Sequence, residues 1–249
     1  MTHPDEPPVL YRPGTTARIV FNRPRVKNAL DARSWELLAD ALERFEKDPE
    51  ARVLVLSGAE GNFSSGADLG GGITGSAEQV SAKMREVASV IVRLHTMPKP
   101  TLAKVDGVAV GVGLSLALGC DLVVASERAR FGAVFSRVGL TPDGGLSWLL
   151  PRIVGPHKAK ELTLFGRIVH GPEAGELGLA NLVVPAGELD ATVDDWCTRL
   201  AACAPVAASG TLELIDDAWH STFTQALEHE AVAQRRAVAA RRGANGAIG

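Results

Sequence analysis

The sequence predicts an α/β fold in which a layered core is followed by a helical C-terminal region, and three observations carry this prediction. Short apolar runs rich in β-branched residues, typical of strands buried on both faces, occur along residues 17–185. Segments with helical periodicity alternate with them, which indicates one layered core. After residue 186 the strand signals stop, so we predict a core domain over 1–185 and a C-terminal helical region over 186–249.

The elements are predicted in the following order. ARIVFNRP (17–24) predicts the first strand, and a helix follows from Asp31, a candidate N-cap, to Asp48. Its apolar face carries Trp35, Leu38, Leu42 and Phe45. A second helix over 78–95 carries Val80, Met84, Val87, Val90, Ile91 and Leu94. The other strands are predicted at 52–58, 101–107, 121–126 and 181–185, and the C-terminal region reads as three consecutive helices.

Composition and charge exclude several classes of protein. Of the 249 residues, 46% are hydrophobic and 22% charged, which is ordinary for a globular enzyme. A net charge of −3 gives no electrostatic case for a nucleic-acid partner, and no apolar run is long enough to span a bilayer. The start, MTHPDEPPVL, lacks the features of a signal peptide. We therefore expect a cytoplasmic protein with no membrane partner.

Cysteine and histidine usage argues against a metal site. The three cysteines are an odd number without metal-ligand spacing, and the six histidines form no cluster. We expect the cysteines to be free, buried thiols and the protein to bind no metal.

Two glycine-rich turns, NFSSGADLGGG (62–72) and DGVAVGVGLSLALG (106–119), each follow a predicted strand. The second turn lacks the third glycine of a dinucleotide-binding loop, the lysine of a Walker loop and the G-x-S-x-G of a serine hydrolase. The glycines could simply let helices pack closely on strands. Alternatively, N–H groups from both turns could converge on one oxygen and form an oxyanion hole.

These motifs resemble those of the enoyl-CoA hydratase/isomerase superfamily, also called the crotonase family. The resemblance covers about residues 17–190 through FNRPRVKNALDARSWELLADAL, VLVLSGAEGNFSSGADL, KPTLAKVDGVAVGVGLSLALGCDLVVASERARFG, GLTPDGGLSWLLPRIVG and LFGRIVHGPEAGELGLANLVVPAGEL. It implies a crotonase-like spiral of ββα units with a C-terminal helical region for trimerisation or a lid. It also implies an acyl-CoA substrate, no cofactor beyond that coenzyme A, and a homo-oligomer, either a trimer or a hexamer.

The resemblance also implies roles for individual residues. The oxyanion N–H groups would belong to Ala67 and Val112, and the Gly70–Gly72 run would give mobility beside the acyl chain. Asp68 is a competing acid, but its place after Ala67 suggests local capping of the next helix. The residues expected to contact the substrate or its CoA are Arg25, Lys27, Ala29, Ser65, Gly66, Asp68, Leu69, Gly111, Phe135, Leu140 and Trp148.

The sequence departs from the family's hydratases at both of their catalytic glutamates. Ser115 stands at the position of the first and Phe135 at the position of the second. A hydroxyl and a phenyl ring cannot replace a general acid and a general base near neutral pH. The resemblance is therefore nearer to the Asp-dependent isomerases than to the two-glutamate hydratases.

Asp143, in GLTPDGG, stands where the family's isomerases carry a catalytic carboxylate. Read alone, it is a candidate N-cap for the following helix; read with the resemblance, it is the proton carrier. Apolar neighbours such as Phe135, Leu140 and Trp148 would raise its pKa toward the working range. We expect an enoyl-CoA isomerase, and the alternatives are a hydratase with a non-standard acid and a catalytically silent CoA-binding homologue.

Overall fold

The structure, a computed structural model, describes residues 6–70 and 76–246. Its strands are β1 (Val9–Arg12), β2 (Thr16–Phe21), β3 (Val53–Gly58), β4 (Thr101–Val105), β5 (Val108–Val110), β6 (Leu122–Ser126), β7 (Arg130–Gly132), β8 (Ile168–His170) and β9 (Leu182–Val184). Its helices are α1 (Ala32–Lys47), α2 (Ala77–His95), α3 (Val112–Leu118), α4 (Leu146–Val154), α5 (Pro156–Phe165), α6 (Gly171–Glu176), α7 (Leu189–Ala201), α8 (Pro205–Asp217) and α9 (Phe223–Gly246).

The strands form two sheets. A six-stranded sheet has the order β1-β2-β3-β4-β6-β9, in which only the β1–β2 pair is antiparallel. A three-stranded sheet has the order β5-β7-β8. Because β4 leads into β5 within a few residues, as β6 leads into β7, the chain passes from one sheet to the other and then into a helix. The core is therefore an α/β fold with a helical C-terminal region, as predicted.

The large sheet is buried on both faces because its central strands carry apolar side chains on both sides. Leu54 and Leu56 of β3 join the main core with α1 and α2. Val53 and Val55 face the other way and pack against Val193 and its neighbours on α7. This two-sided burial explains why the central strands read as unbroken apolar runs.

Most predicted elements are confirmed, with differences at their ends. Asp31 caps α1, because its side chain accepts the Ser34 N–H at 2.8 Å. The first predicted strand stops at Phe21, since a 3-10 turn begins at Pro24. On α2, Met84 is 41% exposed and Val80 is only partly buried, so the core-facing part begins at Val87. Four strands were not predicted: β1, β5, β7 and β8.

The three C-terminal helices are confirmed as α7, α8 and α9. α7 packs on the large sheet, whereas α8 and α9 pack chiefly on each other. The predicted division between residues 185 and 186 stays a prediction. Of the helices in the described ranges, none has the length and apolarity needed to cross a bilayer.

The prediction of buried thiols is correct for two of the three cysteines. Cys120 and Cys197 are buried and free, but Cys203 is exposed, because it follows α7 at the surface.

Candidate active site

The two glycine-rich turns meet at Gly66 and the start of α3. A Cβ atom on Gly66 would lie 2.8 Å from the Val110 carbonyl oxygen and 3.5 Å from the Val112 nitrogen. Gly66 also has a φ of +90°, which side chains rarely tolerate. A glycine is required here because the two backbones touch.

Short parallel pairing fixes the register of the two turns. Ser64 N–H donates to the Val108 carbonyl at 2.9 Å, and Val110 N–H donates to the Ser64 carbonyl at 3.1 Å. Gly111 N–H donates to the Gly132 carbonyl at 2.9 Å. Both turns are thereby attached to β5 and to each other.

The amide of Ala67 is left free by the bonds of its neighbours. Leu30 N–H donates to the Gly66 carbonyl at 2.8 Å, and Asp68 N–H donates to the Leu30 carbonyl at 3.0 Å. Alternate residues of an extended segment direct their N–H groups to opposite sides, so the Ala67 N–H is directed away from Leu30. Within the described ranges it has no acceptor.

The amide of Val112 is the second donor that has no acceptor in the part of the chain that the structure describes. Val112 is the first residue of α3, and the first N–H groups of a helix have no partner within it. Gly111, with a φ of +57°, turns the chain into this helix. Because Gly66 contacts the Val112 backbone, the amides of Ala67 and Val112 come from segments in direct contact. Their predicted role as oxyanion donors stays a prediction.

Asp143 lies against the same end of α3. The Ser115 hydroxyl donates to the Asp143 backbone carbonyl at 2.9 Å. A Cβ atom on Gly144 would lie 2.8 Å from the Ser115 Cβ and 3.0 Å from a methyl group of Val112. The structure thus brings Asp143, Val112 and Ala67 into one region from three separate segments.

One oxygen atom of the Asp143 carboxyl group is buried, although the residue as a whole is only partly buried. Its Oδ1 atom is inaccessible to water and accepts no hydrogen bond within the described part of the chain. Burial raises the pKa of this carboxyl to about 6, because desolvation disfavours the charged form. A buried, unsatisfied acceptor is rare in a native protein and calls for an explanation.

The capping alternative for Asp143 is wrong. The N-cap of α4 is Gly145, and no side chain caps this helix. Gly144 and Gly145 both have positive φ angles, so the chain enters α4 two residues after the carboxylate. Only the backbone carbonyl of Asp143 takes part, accepting the Leu146 N–H at 3.1 Å.

The prediction that Asp68 caps the following helix is also wrong. The N-cap of α2 is Ser76, eight residues later, in a capping box with Gln79. Asp68 instead accepts the Gly70 N–H at 3.0 Å and forms an ion pair with Arg23 at 2.8 Å. The Gly70 amide and the Arg23 guanidinium hold the pKa of Asp68 below its usual value. With both oxygens engaged, Asp68 is poorly suited to carry protons.

The predicted CoA-contacting segments lie side by side. Ser65 N–H donates to the Lys27 carbonyl at 2.9 Å, and the Ser65 hydroxyl donates to the Val26 carbonyl at 2.8 Å. Arg25 and Lys27 are exposed, whereas Ala29 is buried. Leu69 is 41% exposed, and residues 71–75, including Gly71 and Gly72, lie outside the described residues. CoA contacts of these residues stay predictions.

Two residues that hold this region together were not identified from the sequence. Asn28 is fully buried with a φ of +59°, and its amide donates to the Ala59 and Asn62 carbonyls. Arg23 donates to the Ala29 carbonyl at 2.8 Å and pairs with Asp68. Asparagine tolerates left-handed backbone well, but nothing local signals that Arg23 reaches a carboxylate 45 positions later.

The predicted apolar residues separate into two places. Phe135 is 5% exposed and Leu140 is partly buried, and the Leu140 N–H donates to the Phe135 carbonyl at 3.0 Å. The Trp148 ring instead contacts His95 and His220, with Arg152 3.8 Å from its centroid. A place for Trp148 beside Asp143 therefore stays a prediction.

A cavity of about 650 Å³ lies between α4 and α8 rather than at Asp143. Size alone would favour it as the active site. We favour the Asp143 region, because there free main-chain donors and an unpartnered carboxyl group come together. Of the two acids that line the cavity, Asp121 is already bonded to Thr101, and Asp216 has no buried oxygen atom that lacks a partner among the described residues.

Comparisons with known proteins agree on one family. The family model described as enoyl-CoA hydratase/isomerase matches residues 12–246. The chain is 36% identical over 214 residues to a 1,2-epoxyphenylacetyl-CoA isomerase of Escherichia coli (strain K12), covering 84% of this chain and 80% of that protein. It is 36% identical over 219 residues to the 4-chlorobenzoyl coenzyme A dehalogenase-2 of Arthrobacter sp, covering 86% and 79%.

The solved structures agree with the fold. The crystal structure of an enoyl-CoA hydratase from Polaromonas sp. JS666 superposes with a TM-score of 0.89 at 33% identity, covering 96% of this chain and 95% of that one.

Proposed function

Because the chain belongs to the enoyl-CoA hydratase/isomerase family and is an acyl-CoA enzyme of that family, we propose that its reaction is the migration of an enoyl-CoA double bond. The observation that carries this proposal is the Asp143 carboxyl group, whose Oδ1 atom is buried and has no hydrogen-bond partner among the described residues, beside the helix that begins with Val112. An acid in such a place is held ready for a substrate proton.

The chemistry needs one carboxylate and two amides. The N–H groups of Ala67 and Val112 donate to the thioester oxygen of a 3-enoyl-CoA and acidify its α-carbon. Asp143 removes the α-proton, the amides stabilise the resulting enolate, and the protonated Asp143 returns the proton to the γ-carbon. The product is a 2-enoyl-CoA and the carboxylate is regenerated. The reaction is redox-neutral, so coenzyme A enters only as part of the substrate.

The surroundings of Asp143 suit this role. A general base works best when its pKa lies near the working pH, and burial has raised the pKa of Asp143 to about 6. Its competitor Asp68 has its pKa lowered by the Gly70 amide and by Arg23. The pKa of Asp143 is thus raised and the pKa of Asp68 is lowered, and this difference favours Asp143 as the residue that transfers the proton.

A hydratase mechanism has less support. Ser115 and Phe135 stand where the family's hydratases carry glutamates. The Ser115 hydroxyl is engaged with the Asp143 carbonyl, and Phe135 is packed in the core. Neither residue can activate a water molecule.

A second candidate is an aspartate-dependent dehalogenase, favoured by the relative from Arthrobacter sp. In that reaction the Asp143 carboxylate attacks the ring carbon that carries chlorine, chloride leaves, and water then hydrolyses the resulting ester. An unpartnered carboxylate is as suitable for nucleophilic attack as for proton transfer. Chloride release from 4-chlorobenzoyl-CoA faster than any double-bond shift would support this candidate over the isomerase.

The experiment that tests the proposal compares reactions on one preparation. The protein is incubated with 3-enoyl-CoA and 2-enoyl-CoA of several chain lengths, and isomerisation and hydration are followed by chromatography. We expect isomerisation to be the faster reaction. Hydration at a comparable rate would contradict the proposal, and tight acyl-CoA binding without turnover across the panel would identify a silent CoA-binding homologue.

We also propose a homo-oligomer, either a trimer or a hexamer. Ile215, Trp219 and Phe223, at the turn between α8 and α9, are 62%, 62% and 81% exposed. Large apolar side chains clustered at a surface mark an interaction site. Light scattering at micromolar concentration should give three or six times the mass of one chain, and a monomer would contradict the proposal. A cytoplasmic location also stays a prediction.

A further inference from the structure

We propose that Ser115 is a positioning residue for Asp143, because its hydroxyl holds the backbone of the turn at Asp143–Gly144. This inference rests on the proposed function, since it explains how the carboxylate of that mechanism is held. It concerns a residue that does not itself touch the substrate.

The contact between the two segments is close and specific. Ser115 is fully buried on α3, and its hydroxyl donates to the Asp143 backbone carbonyl at 2.9 Å. A Cβ atom on Gly144 would lie 2.8 Å from the Ser115 Cβ and 3.1 Å from its hydroxyl oxygen. A carbon atom added to Gly144 would therefore overlap Ser115, so the turn passes too close to Ser115 to leave room for a methyl group.

The turn needs such a fixed point because it has little rigidity of its own. Gly144 and Gly145 both adopt left-handed backbone, and glycine is the residue with the greatest conformational freedom. The Asp143 side chain cannot anchor the turn, since its Oδ1 atom has no partner within the described ranges. The hydroxyl of Ser115 thus fixes the backbone from which the carboxylate projects.

The first test removes the hydroxyl. For Ser115→Ala we expect kcat for isomerisation to fall roughly tenfold, as one lost hydrogen bond would give, while KM changes less than about twofold. Ser115→Cys keeps a weak donor of similar size, so we expect its kcat to lie between those of Ser115→Ala and the unmodified protein.

The second measurement does not depend on turnover. The Asp143 carboxyl is titrated by carbon-13 NMR in protein labelled at aspartate, and its signal is assigned by its absence from Asp143→Asn. In Ser115→Ala the released turn lets water reach the carboxyl, so the pKa of Asp143 should fall toward the ordinary aspartate value. A tenfold loss of kcat together with this shift supports positioning.

The matched control is Ser126→Ala. Ser126 is also fully buried, and its hydroxyl donates to Asp106 at 2.6 Å, away from Asp143. We expect this variant to lose stability but to keep kcat and the Asp143 titration. If Ser115→Ala behaves in the same way as Ser126→Ala, Ser115 only packs the core and the inference is overturned.

The third variant replaces the hydroxyl by a larger side chain. Ser115→Glu should lose at least as much isomerase activity as Ser115→Ala, because it removes the hydroxyl that donates to the Asp143 carbonyl and puts a longer side chain beside the closely packed Gly144. Full isomerase activity in this variant would overturn the inference. If Asp143→Asn keeps its rate, the proposed function fails, but the Asp143 titration in Ser115→Ala still decides the positioning role.

Discussion

Asp143 and Asp121 lie toward opposite ends of α3, and both are largely removed from water. Asp143 is held beside Ser115 in the first turns of this helix, and Asp121 follows directly after Cys120 at its other end. Burial raises the pKa of each carboxyl to about 6. By their pKa values alone the two acids cannot be told apart.

Their hydrogen bonds separate them. One oxygen of Asp121 accepts both the N–H and the hydroxyl of Thr101, at 2.7 and 2.8 Å, and the Asp121 N–H donates back to that hydroxyl at 2.9 Å. This exchange joins the starts of β4 and β6. Asp143 has no such arrangement. A raised pKa therefore does not identify a catalytic acid by itself, and our proposal for Asp143 depends on its buried oxygen atom that has no partner in the described part of the chain.

The largest expected effect is that of Asp143→Asn. The substitution removes the proton carrier, so kcat for isomerisation should fall by roughly two to four orders of magnitude. The unfolding free energy should change by less than about 1 kcal/mol, because Oδ1 has no hydrogen bond to lose. Steady-state kinetics and chemical denaturation measure the two quantities. A stable variant with the original kcat would show that Asp143 is not the carrier.

The second prediction is the pH dependence of turnover. Asp143 must be ionised to accept a proton, so kcat/KM should rise with pH up to about 6 and level off above it. Below that pH the rate should fall about tenfold per unit. Asp121→Asn should show the same profile, because Asp121 takes no part in the reaction. A profile that loses its inflection in Asp121→Asn would assign the base to Asp121.

The third prediction concerns Asp121→Ala. The substitution leaves the Thr101 N–H and hydroxyl without their acceptor in a buried place, which should lower the unfolding free energy by about 1–3 kcal/mol. Per folded molecule, kcat should remain within about twofold of the original value, a difference of well under 1 kcal/mol in the activation barrier. Loss of rate without loss of stability would reverse the roles that we assign to the two aspartates.

The smallest effect is on the pH dependence of stability. An acid whose folded pKa is raised binds more protons when folded, so its contribution is full below the unfolded pKa and is lost as pH rises through about 6. In Asp143→Asn this loss of stability with rising pH does not occur. Relative to the original protein it should gain about 1 kcal/mol in unfolding free energy between pH 4 and pH 7, after allowance for partial exposure. A relative loss over that range would contradict the pKa shift.

Local patterns in the sequence were enough to predict the central strands and α1. The apolar runs and the Asp31 cap depend on residues that are only a few positions apart. The two glycine-rich turns can be recognised in the sequence for the same reason. The short strands β5, β7 and β8 have no periodicity long enough to detect. They exist because they pair with one another across the fold.

The roles of Asp68 and Ser115 depend on contacts that no local pattern records. Asp68 pairs with Arg23, and Ser115 reaches the Asp143 carbonyl 28 positions later. Capping rules gave the wrong interpretation for both Asp68 and Asp143, because they consider only the nearest helix. The sequence could place the acids in the site but could not say which of them lacks a partner.

The free amide of Ala67 results entirely from main-chain bonds between its neighbours and Leu30. An exchange of side chain at this position, for any residue except proline, therefore leaves the donor where it is. Mutational drift can alter the acids around it while the amide that we propose as an oxyanion donor is inherited unchanged. For directed evolution, the main-chain donors are therefore the constant part of the site and the acidic side chains are the variable part. Libraries at positions 115, 135 and 143 would sample new reactions on a scaffold whose main-chain donors stay in place.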